Sequence, residues 1–107
     1  MNIETNEING ATVITLGGEV DLEHSPQARK ALLDAVANNK KVIVDLSGVS
    51  YIDSSGIASL VEAFQTARKN GGAFILATVS DSALRVLQLA RLDKVFTIAA
   101  TVEEATA

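Results

Sequence analysis

The chain has 107 residues, 48% apolar and 21% charged, a composition that suits one globular domain and argues against disorder. With no Cys and a single His, it excludes a disulfide scaffold, a thiolate zinc site, an iron–sulfur cluster and a cysteine nucleophile. A net charge of −4 and an aromatic content of 4% point away from nucleic acid and from an anionic membrane surface as partners.

Two strands, Ile3 to Ile8 and Ala11 to Val20, are expected around Asn9-Gly10, a dipeptide suited to a tight hairpin turn. Ser25-Pro26 then opens a helix, with Ser25 as its cap. Ala28, Ala31, Leu32, Ala35 and Val36 form its apolar face, and Asn38-Asn39 ends it. Val42 to Leu46 reads as a short central strand, followed by a loop from Ser47 to Asp53. Ile57, Leu60, Val61, Phe64 and Ala67 mark a second helix, closed at Asn70-Gly71. Ala73 to Val79 is a further strand, and Ser80-Asp81-Ser82 caps a third helix with Leu84, Leu87 and Val86 inward. Val95 to Ile98 is a last strand, and Thr101 to Glu104 has the spacing of a capping box for a short terminal helix. The order is that of a single α/β domain: a mixed sheet with an opening hairpin and helices in β-α crossovers. Ligands and partners of such sheets meet the loops beyond the strands' carboxyl ends, here Asp21 to Ser25 and Ser50 to Gly56.

Catalytic parts are scarce. No phosphate-cradling G-x-x-x-x-G-K-[ST] loop, dinucleotide fingerprint or G-x-S-x-G elbow is present. A serine triad would need His24, which sits in the polar run Asp21-Leu22-Glu23-His24-Ser25 and reads as an exposed loop residue. Asp21, Glu23 and His24 are too close in sequence to converge easily on one metal ion. The carboxylate pairs Glu19/Asp21 and Asp45/Asp53 carry no sign of acid–base work. No catalytic residue, metal or cofactor is expected.

What remains is Asp53-Ser54-Ser55-Gly56 at the head of the second helix. These residue types suit a helix cap and a close chain approach. They also suit a phosphorylation switch, in which a phosphate at the helix N-terminus would meet unpaired N–H groups without unfolding the domain.

Four segments, Gly18-Glu19-Val20-Asp21, Val44-Asp45-Leu46-Ser47-Gly48-Val49, Tyr51-Ile52-Asp53-Ser54-Ser55-Gly56-Ile57 and Leu92-Asp93-Lys94-Val95-Phe96, together resemble the STAS domain. The resemblance spans nearly the whole chain, residues 1–107, and is greatest to stand-alone bacterial anti-sigma factor antagonists. It implies that Ser54 is phosphorylated by a partner that is both anti-sigma factor and serine kinase, with an ATPase-type fold. The unphosphorylated form would bind that partner; the phosphorylated form would be released and then reset by a metal-dependent serine phosphatase. ATP would belong to the kinase, so the chain itself needs no cofactor. Asp21 matches the family's acidic residue on the neighbouring loop, and Asp53 and Ser55 flank the target. With Ile57, Leu60, Val61 and Phe64 inward, Ser55, Ser59, Glu62 and Ala63 are expected nearer solvent. The expected partner-binding set is therefore Asp21, Asp53, Ser54 and Ser55 with Gly56, Ser59 and Glu62. The alternative is a STAS accessory subunit of a lipid-transporting ABC system. No apolar run reaches the roughly 20 residues that span a bilayer, and no signal peptide is visible, so a cytoplasmic monomer is expected.

Overall fold

Asn9 and Gly10 both adopt positive φ, 51° and 82°, which is what a two-residue turn between twisted strands requires. They join β1 (Asn2–Ile8) to β2 (Ala11–Val20), the one antiparallel pair of the sheet. The computed structural model describes residues 1–107. Its order continues with α1 (Ser25–Asn38), β3 (Lys41–Ile52), α2 (Ser54–Lys69), β4 (Ala73–Ala77), α3 (Asp81–Leu89), β5 (Thr97–Ala99) and α4 (Val102–Thr106). The five strands lie in the order β1-β2-β3-β4-β5, with β2 to β5 parallel.

The two faces of the sheet are covered unequally. Ile14, Leu16, Val44, Leu46 and Leu76 point to the face that α1, α2 and α3 cover, in one cluster with Leu32, Leu60 and Leu87. Alternate residues Ala11, Val13, Ile43 and Ala77 point the other way, where Ala105 of α4 covers them. Phe64, Phe74 and Phe96 meet edge to face or tilted beneath α2, with ring centres 5.2–6.4 Å apart.

Four local expectations are corrected. The segment 47–52 is strand: β3 runs on to Ile52, pairing Gly48 with Gly17 and Val20 with Ile52 through two register shifts. Gly17 and Gly48 face each other at the first of these shifts, where a Cβ on Gly48 would lie in ordinary contact with the Gly17 Cα at 3.4 Å. Ser25 is not the cap of α1; it is buried in the first turn, and His24 holds the cap position without a side-chain bond. Val95 and Phe96 precede β5 and turn through N–H bonds to the Leu92 carbonyl, so only the end of that stretch pairs with β4. β4 stops at Ala77, because Thr78 takes a positive φ of 47°.

Candidate functional site

The carboxyl ends of β2 and β3 lie side by side. Val20 pairs with Ile52, and the Asp53 N–H donates to the Val20 carbonyl at 3.3 Å. Gly56 lets α2 leave from this point: a Cβ there would lie 2.6 Å from the Val20 carbonyl oxygen and 2.7 Å from Ile52 Cγ1. The loop after β2 and the head of α2 are therefore one surface.

A single carboxylate binds the two together. Asp53 Oδ1 accepts from the N–H groups of Ser55 (3.0 Å) and Gly56 (3.2 Å) and from the Ser55 hydroxyl (2.5 Å). Its Oδ2 accepts from the Leu22 N–H across the junction at 3.1 Å. Asp21 Oδ1 in turn accepts from the His24 N–H at 3.1 Å and lies 2.7 Å from His24 Nδ1. Ser54, the first residue of α2, is exposed, and none of these bonds uses its hydroxyl.

A STAS domain family model matches residues 2–105. The chain belongs to the STAS domain family. It is 31% identical over 100 residues to the anti-sigma-F factor antagonist RsfB of Mycobacterium tuberculosis, which covers 91% of this chain and 80% of that protein. The anti-sigma-factor antagonist (STAS) domain protein from Planctomyces limnophilus superposes with a TM-score of 0.87 at 28% identity, over 97% of this chain and 94% of that one. The Bacillus cell fate determinant SpoIIAA in its phosphorylated form superposes with a TM-score of 0.74 at 25% identity, over 97% and 96% of the two chains.

Two carboxylates at the junction of this STAS domain, Asp53 and Asp21, are held below the ordinary aspartate range. The Ser55 hydroxyl first, and then the N–H groups of Gly56, Ser55 and Leu22, keep Asp53 below the ordinary aspartate range against the opposing pull of desolvation. Desolvation raises Asp21, but the backbone and ring of His24 outweigh it and lower the group. The donors at the head of α2 are largely engaged within the domain: Asp53 takes the Ser55 and Gly56 N–H groups, and the Ile57 N–H donates to the Asp53 carbonyl.

The expected docking face also contracts. Ser59 is 4% exposed and its hydroxyl returns to the Ser55 carbonyl, while Ala63 is fully buried; both face the protein interior. Gly56 is buried as a packing contact and offers no side chain to a partner. Glu62 does reach solvent, but Arg29 of α1 holds it through two 2.7 Å bonds, Nε to Oε1 and Nη2 to Oε2. This pair keeps Glu62 below its ordinary range and raises Arg29. Asp21, Asp53, Ser54 and Ser55 come together at the junction as expected. Asp45 does not join Asp53: it lies eight residues back on β3, roughly 25 Å at strand rise, where it binds Thr78. No hydrogen bond links His24 to Ser54 or Ser55; His24 pairs with Asp21, and Ser55 with Asp53.

Two residues were missed. Arg29 gives no sequence signal, since its partner is 33 positions away on another helix. Leu22 did give one, as the apolar residue in a polar run, and it is 76% exposed beside the site.

Proposed function

We propose that this STAS domain is an anti-sigma factor antagonist that works by partner switching. Unphosphorylated, it binds an anti-sigma factor that is also a serine kinase of ATPase-type fold. Phosphorylated on Ser54, it is released, and a metal-dependent serine phosphatase restores it. The observation that carries this reading is the setting of Ser54: an exposed hydroxyl in the first turn of α2, on a frame of hydrogen bonds that does not depend on it. Such a group can be modified without refolding the domain. The antagonists named among its relatives, and a phosphorylated neighbour of the same fold, support it.

The switch is electrostatic and steric. A phosphoserine adds about −1.5 to −2 charges at pH 7. A partner carboxylate about 6 Å away would repel each unit charge by about 3 kcal/mol at an effective dielectric of about 20, or ~100-fold in affinity. No step of this requires catalysis by the chain itself.

The test is a pull-down from the native host with wild type and Ser54→Asp as baits, read by mass spectrometry. The expected result is an ATPase-fold serine kinase with wild type alone. Transporter ATPase and permease subunits recovered by both baits would overturn the reading and make Ser54 a helix residue only.

A further inference from the structure

A cleft of about 290 Å³ lies between the β1–β2 hairpin and the end of α1. Its polar wall is made by Thr5, Thr12, Asp34, Asn38 and Asn39. Thr12 is only 5% exposed, and its hydroxyl makes no hydrogen bond within the domain; it opens into the cleft. A polar group so nearly buried ordinarily has a partner, so the cleft is one hydrogen bond short. The two amides set its polarity. Asn38 Nδ2 donates to the Asp34 carbonyl at 2.8 Å, and Asn39 Nδ2 to the Ala35 carbonyl at 2.9 Å. Both nitrogens are committed to carbonyls at the helix end, which leaves only the amide oxygens for a ligand. Asp34 Oδ2 meets Lys30 at 2.9 Å in an exposed pair that contributes little, and Oδ1 has no partner. Glu7 stands opposite Thr12 in the β1–β2 register, so it shares that face of the sheet, and it is in no ion pair. The cleft is therefore negative and rich in acceptors, and no side chain lining it is a cation.

We infer that this cleft binds a small aliphatic amine in its ammonium form. An ammonium carries three donors and no acceptor, the complement of the Asp34 carboxylate, the two amide oxygens and the Thr12 hydroxyl. Ile14, Ala31 and Ala35 supply apolar surface for the carbon chain. A phosphate or carboxylate ligand would meet acceptors and a like charge instead. A hard metal ion takes six or more oxygen ligands, usually with several carboxylates, and Asp34 is the one carboxylate in the lining. α1 runs 14 residues, roughly 21 Å, from the loop beside Ser54 to this cleft. The site is thus separate from the switch, and the inference does not rest on the partner-switching reading.

The test is a titration of the isotope-labelled chain with butylamine, followed by amide chemical shifts, with butanol as the neutral ligand of matching shape. The expected result is saturable shifts confined to Thr5, Thr12 and the stretch Ala31 to Asn39, and none with butanol. Thr12→Val keeps the branched shape that a strand favours and removes the hydroxyl, so it should weaken binding by about 5- to 10-fold. Asp34→Asn, on the exposed side of α1, should weaken it by about 10-fold or more. Glu4→Gln removes a charge from the other face of β1 and should leave the affinity within about twofold. Circular dichroism checks that each variant is folded; should Thr12→Val not fold, Asp34→Asn decides. Shifts that never saturate, an equal response to butanol, or undiminished binding by the folded variants overturns the inference. Saturable shifts of the same residues with calcium chloride in place of the amine would make the cleft a metal site and overturn it as well.

Discussion

Gly56→Ala is the perturbation whose cost the structure defines most closely. The new Cβ would lie 2.6 Å from the Val20 carbonyl oxygen, 2.7 Å from Ile52 Cγ1 and 2.9 Å from Val20 Cγ1. Non-bonded contacts settle at about 3.5 Å, so α2 must retreat by about 0.9 Å from the end of β2. Val20 and Ile52 are both almost fully buried, and the nearest atom belongs to the backbone, so no side chain can swing clear. Overpacking of this kind costs about 1–3 kcal/mol, and three simultaneous contacts place it at the upper end. For a domain of about this size that corresponds to a fall in Tm of about 10–20 °C. The retreat would also carry Ser54 and Asp53 away from the β2 loop, so partner binding should fall even well below the transition. The assay is thermal unfolding followed by circular dichroism, with Ser54→Ala, at an exposed hydroxyl that makes no bond within the domain, as a control that adds no volume. A fall in Tm of less than about 2 °C would refute the claim that Gly56 is required by the packing of α2 on the strand ends.

Three further predictions concern parts away from this contact. Thr78 holds a positive φ of 47° and donates its hydroxyl to Asp45 at 2.6 Å, so Thr78→Val keeps the strain and loses a charge-assisted bond. It should destabilise by about 1.5–3 kcal/mol, and more than Thr78→Gly, which relieves the backbone; the reverse order in urea unfolding would contradict this. At Asp45, desolvation pulls upward but the Thr78 hydroxyl and Ser47 bind the carboxylate and lower it. The unfolded chain therefore binds more protons than the native one near pH 4, so this stability is full above about pH 5 and is lost as the pH falls through about 4 and below. Asp45→Asn should flatten urea midpoints measured between pH 6 and 3, and an unchanged slope would count against it. The Arg29–Glu62 pair is exposed on both sides, so Arg29→Ala should shift Tm by only about 2 °C at low salt and by less at high salt; a large, salt-independent loss would show that the pair matters more than its exposure implies.

Much of the fold was legible because local signals and burial agree. Asn9-Gly10, the helical spacing of Ala28 to Val36 and the spacing of Ile57 to Ala67 each specify an element that the structure contains. The second half of β3 was hidden, since Ser47, Gly48 and Ser50 have poor strand propensity; Gly48 pairs with Gly17 of β2, while Ser47 and Ser50 fall at the two register shifts. The first turn of α2 was legible in Asp53, which caps it as its residue type suggests. Its consequence was not: that the same carboxylate also takes the Leu22 N–H depends on how the β2 loop crosses it. Ser59 was misread for a similar reason. Its residue type suggests an exposed position, but it is buried in space, and a hydroxyl bonded back to the Ser55 carbonyl tolerates that burial.

The central claim is that phosphorylation of Ser54 decides whether the partner binds. Its most direct measurement is the affinity of the purified kinase for the chain before and after stoichiometric phosphorylation of Ser54, with circular dichroism to confirm an unchanged fold. The account predicts a loss of about 100-fold or more on phosphorylation, with the unmodified form restored by dephosphorylation. Equal affinity of the two forms, with the fold intact, would contradict it.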